Sequence, residues 1–115
     1  MKYIKKENAE IGQNSDICKT KEYSFGDKDI DLGIATVTGR FPQKGYAMNE
    51  ISKELVYVLE GEGILCTKEQ TIHFSKGDSI LILPNEKYYY ETKHAVLSLT
   101  CTPAWSINQH KTFEE

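Results

Sequence analysis

Glu54 and Tyr88 are the residues best suited by type to carry chemistry in this chain. Glu54 opens the apolar run Glu54-Leu55-Val56-Tyr57-Val58-Leu59, where strand alternation puts it on the same face as Val56 and Val58. A carboxyl group set among valines loses water, and its pKa rises unless a donor compensates. Beside a phenol, such a group can exchange protons with a bound substrate, so Glu54 and Tyr88 are the candidate acid–base residues. Tyr88-Tyr89-Tyr90 puts phenols on both faces of one strand. They read either as packing or, through Tyr88 and Tyr90, as an aromatic wall for a flat or sugar-like ligand under Trp105. Asn49 adds an amide to this set. Arg40, the lone arginine among 14 cationic residues, is the one bidentate donor and is expected near the rim.

The other reactive types have less support. Cys101 lies on an apolar strand with no adjacent histidine or basic run, so it is not expected to be a nucleophile. His73 alternates with Ile72 and Phe74 and should face outward. His94 sits beside Lys93 in a polar turn, and His110 lies in the C-terminal tail. Each is expected to be an exposed histidine without a function.

The elements that must position these residues are strands. The chain has 115 residues, 39% of them hydrophobic, enough for one domain with one core. Residues 1–15 read as a polar flank with at most a short strand at 2–5. Strands are expected at 17–25, 31–41, 46–51, 54–60, 64–67, 71–74, 79–83, 87–91 and 95–102, followed by a tail over 104–115. Gly61-Glu62-Gly63 reads as a turn, as do Pro42-Gln43-Lys44-Gly45, Lys68-Glu69-Gln70 and Lys76-Gly77-Asp78. No segment carries a helical period, and the spacing points to an all-β sandwich or barrel. Several strands, Ile80-Leu81-Ile82-Leu83 among them, are apolar on both faces. A second sheet or a partner copy must cover the second face, and a homodimer is expected. A formal net charge of −3 argues against a nucleic-acid surface. No apolar run reaches membrane-spanning length. Cys18, Cys66 and Cys101 are odd in number and far apart, as in a reduced cytoplasmic protein.

Two blocks of this sequence resemble the two motifs of the cupin superfamily. In the first, about residues 39–61, Glu54 is followed after six residues by Gly61. In the second, about 77–90, Gly77-Asp78 and Pro84-Asn85 stand at the start and at the turn. The resemblance implies a single-domain double-stranded β-helix, the RmlC-like jelly-roll barrel. It also implies a metal set of three histidines and a glutamate, of which only Glu54 is present. The first-motif histidines fall on Ala47 and Asn49, or one residue later on Met48 and Glu50, and the second-motif histidine falls on Tyr88. No metal and no other cofactor are therefore expected, since one carboxylate with an amide or phenol is a poor donor set.

The function expected from these residues is binding of a small molecule, sugar-like or an organic acid, lined by Asn49, Glu54, Tyr88, Tyr90, Arg40 and Trp105. One alternative is a metal-independent isomerase or epimerase using Glu54 and Tyr88. Another is a metal enzyme with unusual ligands. Glu54 has a structural alternative too, an ion pair with Lys53, Lys87 or Arg40 at a barrel end.

Overall fold

A computed structural model describes residues 1–114. Among them, nine strands run in chain order: β1 (Glu10–Ser15), β2 (Cys18–Tyr23), β3 (Asp31–Phe41), β4 (Tyr46–Asn49), β5 (Lys53–Cys66), β6 (Thr71–Ser75), β7 (Ser79–Ile82), β8 (Tyr89–Thr102) and β9 (His110–Phe113). The main sheet has the order β1-β2-β3-β8-β5-β6, and β7 also pairs with β5. All of its pairings are antiparallel. β4 and β9 form a two-stranded ribbon. A single bridge, Ala47 with Tyr88, joins that ribbon to the rest. The result is the jelly-roll barrel that the two motif blocks imply.

Alternation explains how β5 and β8 build the barrel. Glu54, Val56 and Val58 are buried while Lys53, Leu55 and Tyr57 are exposed. On β8 the buried positions are Tyr90, Thr92, Ala95, Leu97 and Cys101. Val37, Val56, Val58 and Leu97 are almost fully enclosed, and each contributes roughly 1.5–3 kcal/mol relative to an exposed side chain.

Four sequence expectations change. Residues 54–60 and 64–67 are one 14-residue strand, and Gly61-Glu62-Gly63 is no turn. It is where β5 slips register against β8, at Val58/Glu60 and Glu62/Ile64, so the long strand bends without breaking. Glycine is required here. Gly61 has φ +86, and a Cβ on Gly63 would meet Thr92 Cβ at 2.6 Å. Likewise 87–91 and 95–102 merge into β8. The N-terminal flank contains β1 rather than a strand at 2–5. The C-terminal tail contains β9, which pairs with β4; Glu115, its last residue, lies outside the described residues.

Asn85, in the second-motif turn, adopts φ 68, a left-handed conformation that asparagine tolerates better than most residues. No helix among the described residues is long and apolar enough to cross a membrane. Cys18, Cys66 and Cys101 are buried, and none is in a disulfide.

Candidate functional site

Strand register brings three carboxyl groups to one end of the barrel. Ile82, Glu54, Cys101 and Asp31 are successive partners across β7, β5, β8 and β3. In the next inward-facing row Val56 meets Leu99, Leu99 meets Gly33, and Gly33 meets Glu22 on β2. A Cβ on Gly33 would be in ordinary van der Waals contact with the Glu22 carboxylate, at 3.5 Å, which places that acid over Gly33. Glu54 is only 7% exposed. The Cys101 thiol donates to its Oε1 at 3.5 Å. Burial raises the Glu54 pKa above the ordinary carboxylate value; the thiol works against this, and the charges of Asp31 and Glu22 add to it. Burial also raises Asp31, against which the backbone N–H groups of Trp105 and Cys101 act. Burial and the charge of Glu54 push the Cys101 thiol far above its usual range, so it acts as a donor and not as a nucleophile.

The segment after Pro103 closes the same end. Trp105 N donates to Asp31 Oδ2 at 3.0 Å, and Trp105 Nε1 donates to Asn49 Oδ1 at 2.9 Å. His110 Nδ1 lies 3.1 Å from the same Asn49 oxygen. The Trp105 and His110 rings are 5.8 Å apart. Gln109 holds this segment down. Its buried Oε1 accepts from Ile51 N at 3.0 Å and from Ser52 N at 2.7 Å, and its Nε2 donates to Ser52 Oγ. Ser52 Oγ in turn donates to Pro103 O at 2.8 Å. Burial lowers the pKa of His110, favouring the neutral imidazole.

Tyr88 and Tyr90 form the floor, their rings 5.7 Å apart and edge to face. Burial, with Glu54 next in weight, pushes both phenols well above the usual tyrosine value. They stay protonated and can only donate or accept hydrogen bonds. The Tyr90 hydroxyl is buried and has no partner among the described residues. The cavity between these elements has a volume of about 430 Å³ and is lined by Glu22, Asp31, Asn49, Glu54, Tyr88, Tyr90, Trp105 and His110, with an apolar side of Val37, Phe41, Leu97 and Leu99. That volume falls within the roughly 300–1,000 Å³ usual for small-molecule sites.

Residues 31–105 match the family model of the AraC-like ligand-binding domain. The chain belongs to that family. Solved structures share the fold. A Streptomyces Pac13 variant with uridine is 20% identical and superimposes with a TM-score of 0.86, over 99% of this chain and 92% of that one; Pac13 is described as a nucleoside dehydratase. An RmlC-like cupin from Shewanella frigidimarina gives 0.74 at 20% identity, covering 89% of this chain and 90% of its own. Ectoine synthase from P. lautus gives 0.68 at 14%, covering 88% and 79%. No curated protein sequence matches the chain.

Of the residues singled out by sequence in this AraC-like domain, Asn49, Glu54, Tyr88, Tyr90 and Trp105 meet at the cavity. Arg40 does not line it. Its guanidinium donates to Pro42 O at 2.8 Å and Gly45 O at 3.1 Å and stacks on Tyr89, 3.9 Å from the ring centre. Glu54 therefore has no ion pair with Arg40 and lies inside the barrel. The register of the first motif is the one that turns Ala47 and Asn49 inward and leaves Glu50 exposed. His73 and His94 are exposed, but His110 is half-buried in the cavity wall, contrary to expectation. Its place depends on the β4–β9 pairing, which no local pattern signals. Asp31 and Glu22 were missed in the sequence, although strand alternation with the inward Ala35 and Val37, and with Thr20 and Cys18, marks their faces.

The residues present do not suit the metal that the fold family implies. Asn49 Oδ1 already accepts from Trp105 Nε1 and lies 3.1 Å from His110 Nδ1, Tyr88 remains a protonated phenol, and Glu54 is shifted toward its protonated form. Among the described residues no three His, Cys, Asp or Glu side chains are grouped to hold a metal ion.

Proposed function

We propose that this domain binds a small, uncharged, hydrogen-bond-rich ring compound of the sugar or nucleoside class in its barrel, without a metal. One observation carries this reading: three carboxyl groups line the cavity and neither lysine nor arginine does. An organic acid or a phosphate ester would meet repulsion and no counter-charge, whereas hydroxyl groups would find carboxylate and imidazole acceptors beside an aromatic wall. Pac13, similar in fold and solved with uridine, supports nucleosides as first candidates.

The test is a thermal-shift and calorimetric comparison of uridine, ribose, uridine monophosphate and citrate. A ligand that binds only the folded state stabilises it by about 2.7 kcal/mol at a hundredfold excess over Kd. Stabilisation by the uncharged compounds alone is expected. Preference for the phosphate ester or for citrate would overturn the reading.

The raised pKa of Glu54 and its position in the cavity favour a second reading, metal-independent acid–base catalysis of the isomerase, epimerase or dehydratase kind. In it Glu54 donates a proton, and Tyr88, too weakly acidic to act as a base, orients substrate through its hydroxyl. Equal turnover by wild type, Glu54→Gln and Tyr88→Phe would remove both residues from that role.

We also propose a homodimer formed through the outer face of β7, β5, β8 and β3. Leu81 pairs with Leu55 and both are about half exposed; Tyr57, Ser98, Thr100, Leu32 and Ile34 continue the face without a charge. Lys19, Lys21 and Lys53 stand at its rim. An uncharged centre inside a charged rim suits a two-fold, self-complementary contact. Light scattering at micromolar concentration should give a dimer, and Leu55→Glu a folded monomer. A monomeric wild type excludes the dimer. The buried thiols agree with a reducing, cytoplasmic setting.

A further inference from the structure

The hydrogen bonds around Asn49 determine which nitrogen of His110 carries its proton. An indole N–H can only donate, so the amide atom 2.9 Å from Trp105 Nε1 must be the oxygen. His110 Nδ1 lies 3.1 Å from that same oxygen. Two acceptors do not meet in a hydrogen bond, so Nδ1 carries the hydrogen. In a neutral imidazole the other nitrogen then holds a lone pair. The described side-chain hydrogen bond of His110 is at Nδ1 and leaves Nε2 without a partner among the described residues, and His110 is one of the residues that line the cavity.

We infer that His110 is the hydrogen-bond acceptor for a ligand hydroxyl in this cavity, fixed by Asn49 as the Nδ1–H tautomer so that Nε2 offers its lone pair. The inference rests on the reading that the cavity takes a hydroxyl-bearing ring.

Proton uptake by His110 would destroy the acceptor, so affinity should fall as pH drops through the His110 pKa. Burial places that pKa below the usual 6.5. Other titratable groups face the same space: Glu22, Asp31 and Glu54 among the acids, with Tyr88, Tyr90 and the thiols of Cys18 and Cys101. On the ribbon itself Glu50 and Lys111 are exposed neighbours. Asn49→Asp separates His110 from them. It keeps an oxygen acceptor for both Trp105 and His110 but adds a negative charge at Nδ1, which favours the imidazolium. The acid limb of the binding curve should then move to higher pH.

The experiment has two arms. Nitrogen-15 NMR of the ligand-free protein should show His110 protonated at Nδ1 and bare at Nε2, and uridine should shift Nε2. Uridine titrations across pH 5–8 on wild type, His110→Phe, His110→Gln and Asn49→Asp form the second arm. His110→Phe should weaken binding roughly three- to tenfold, the scale of one neutral hydrogen bond. Glutamine, which restores an acceptor, should recover part of the loss, and Asn49→Asp should move the acid limb upward. An Nε2–H tautomer overturns the inference whatever the ligand result. So does full affinity in a folded His110→Phe. If wild type binds neither uridine nor ribose, the ligand class falls, and the tautomer measurement alone then decides for or against the His110 assignment.

Discussion

The long strands β5 and β8 and the segment from Pro103 to Phe113 both contribute to the wall of one cavity, and they hold their polar groups by different means. Glu54 and Cys101 are fixed by strand register. They are partners in a ladder that runs nearly the whole length of both strands, with Val56, Val58 and Leu97 packed behind it. Trp105 and His110 are fixed by the short β4–β9 pairing and by side-chain hydrogen bonds, to Asp31, to Asn49 and through Gln109 to the backbone of Ile51 and Ser52. The ladder is cooperative and survives the loss of any one side chain. The terminal segment depends on a few buried polar groups, each costly to leave unpaired.

Substitutions should separate the two regions. The largest effect is expected from Ile80→Ala, at a residue that packs in the core beside Val56 and does not line the cavity: a loss of about 2–5 kcal/mol of stability, measured by urea denaturation, with ligand affinity unchanged once the protein is folded. Gln109→Ala strands two backbone donors, and about 2–3 kcal/mol of stability should go with them; here ligand affinity should fall too, because His110 is released. Equal affinity in the folded Gln109→Ala protein would mean that the terminal segment is not part of the site. Trp105→Phe removes one indole hydrogen bond, worth about 1 kcal/mol, and frees the Asn49 amide to flip, so the NMR signature of the His110 tautomer should broaden or switch.

Glu54→Gln should act in the opposite direction. The native pKa of Glu54 is raised, so the folded state holds its proton more tightly than the unfolded chain does. Stability therefore falls as pH rises from the ordinary 4.5 through the native value, and the loss persists at neutral pH. The glutamine variant should be more stable than wild type at pH 7 and show a shallower decline above pH 4.5. A wild-type advantage at pH 7 in thermal melts would contradict this.

The same contrast governs what could be read from sequence. Glu54, Gly61 and the Pro84-Asn85 turn sit in a local pattern, and from them came the barrel, the inward glutamate and the apposed Tyr88. The family match covers residues 31–105 and so contains that part of the cavity wall. His110 lies beyond it. It reaches the cavity only because β9 pairs with β4 some sixty residues earlier, a long-range event that Ile107-Asn108-Gln109-His110 does not announce. Gly61-Glu62-Gly63 was misread for a related reason. Glycine marks turns and bulges alike, and only pairing with β8 tells them apart. Arg40 was assigned to the rim because its chemistry suits ligands. The carbonyls of Pro42 and Gly45 and the ring of Tyr89 take it instead.

The single bridge between Ala47 and Tyr88 has a consequence for motion. Two backbone hydrogen bonds, both 2.9 Å, and a third from Asn85 N to Asn49 O tie the β4–β9 ribbon to the main sheet, whereas β8 is paired along both edges. Opening the ribbon breaks far fewer bonds than unfolding the barrel, so its amide protons should exchange with solvent well before those of β8. The same opening carries His110 away from Glu54 and uncovers the cavity. Amide exchange in β4 and β9 therefore measures how often the site stands open, and a bound ligand should slow it there while leaving β8 unchanged.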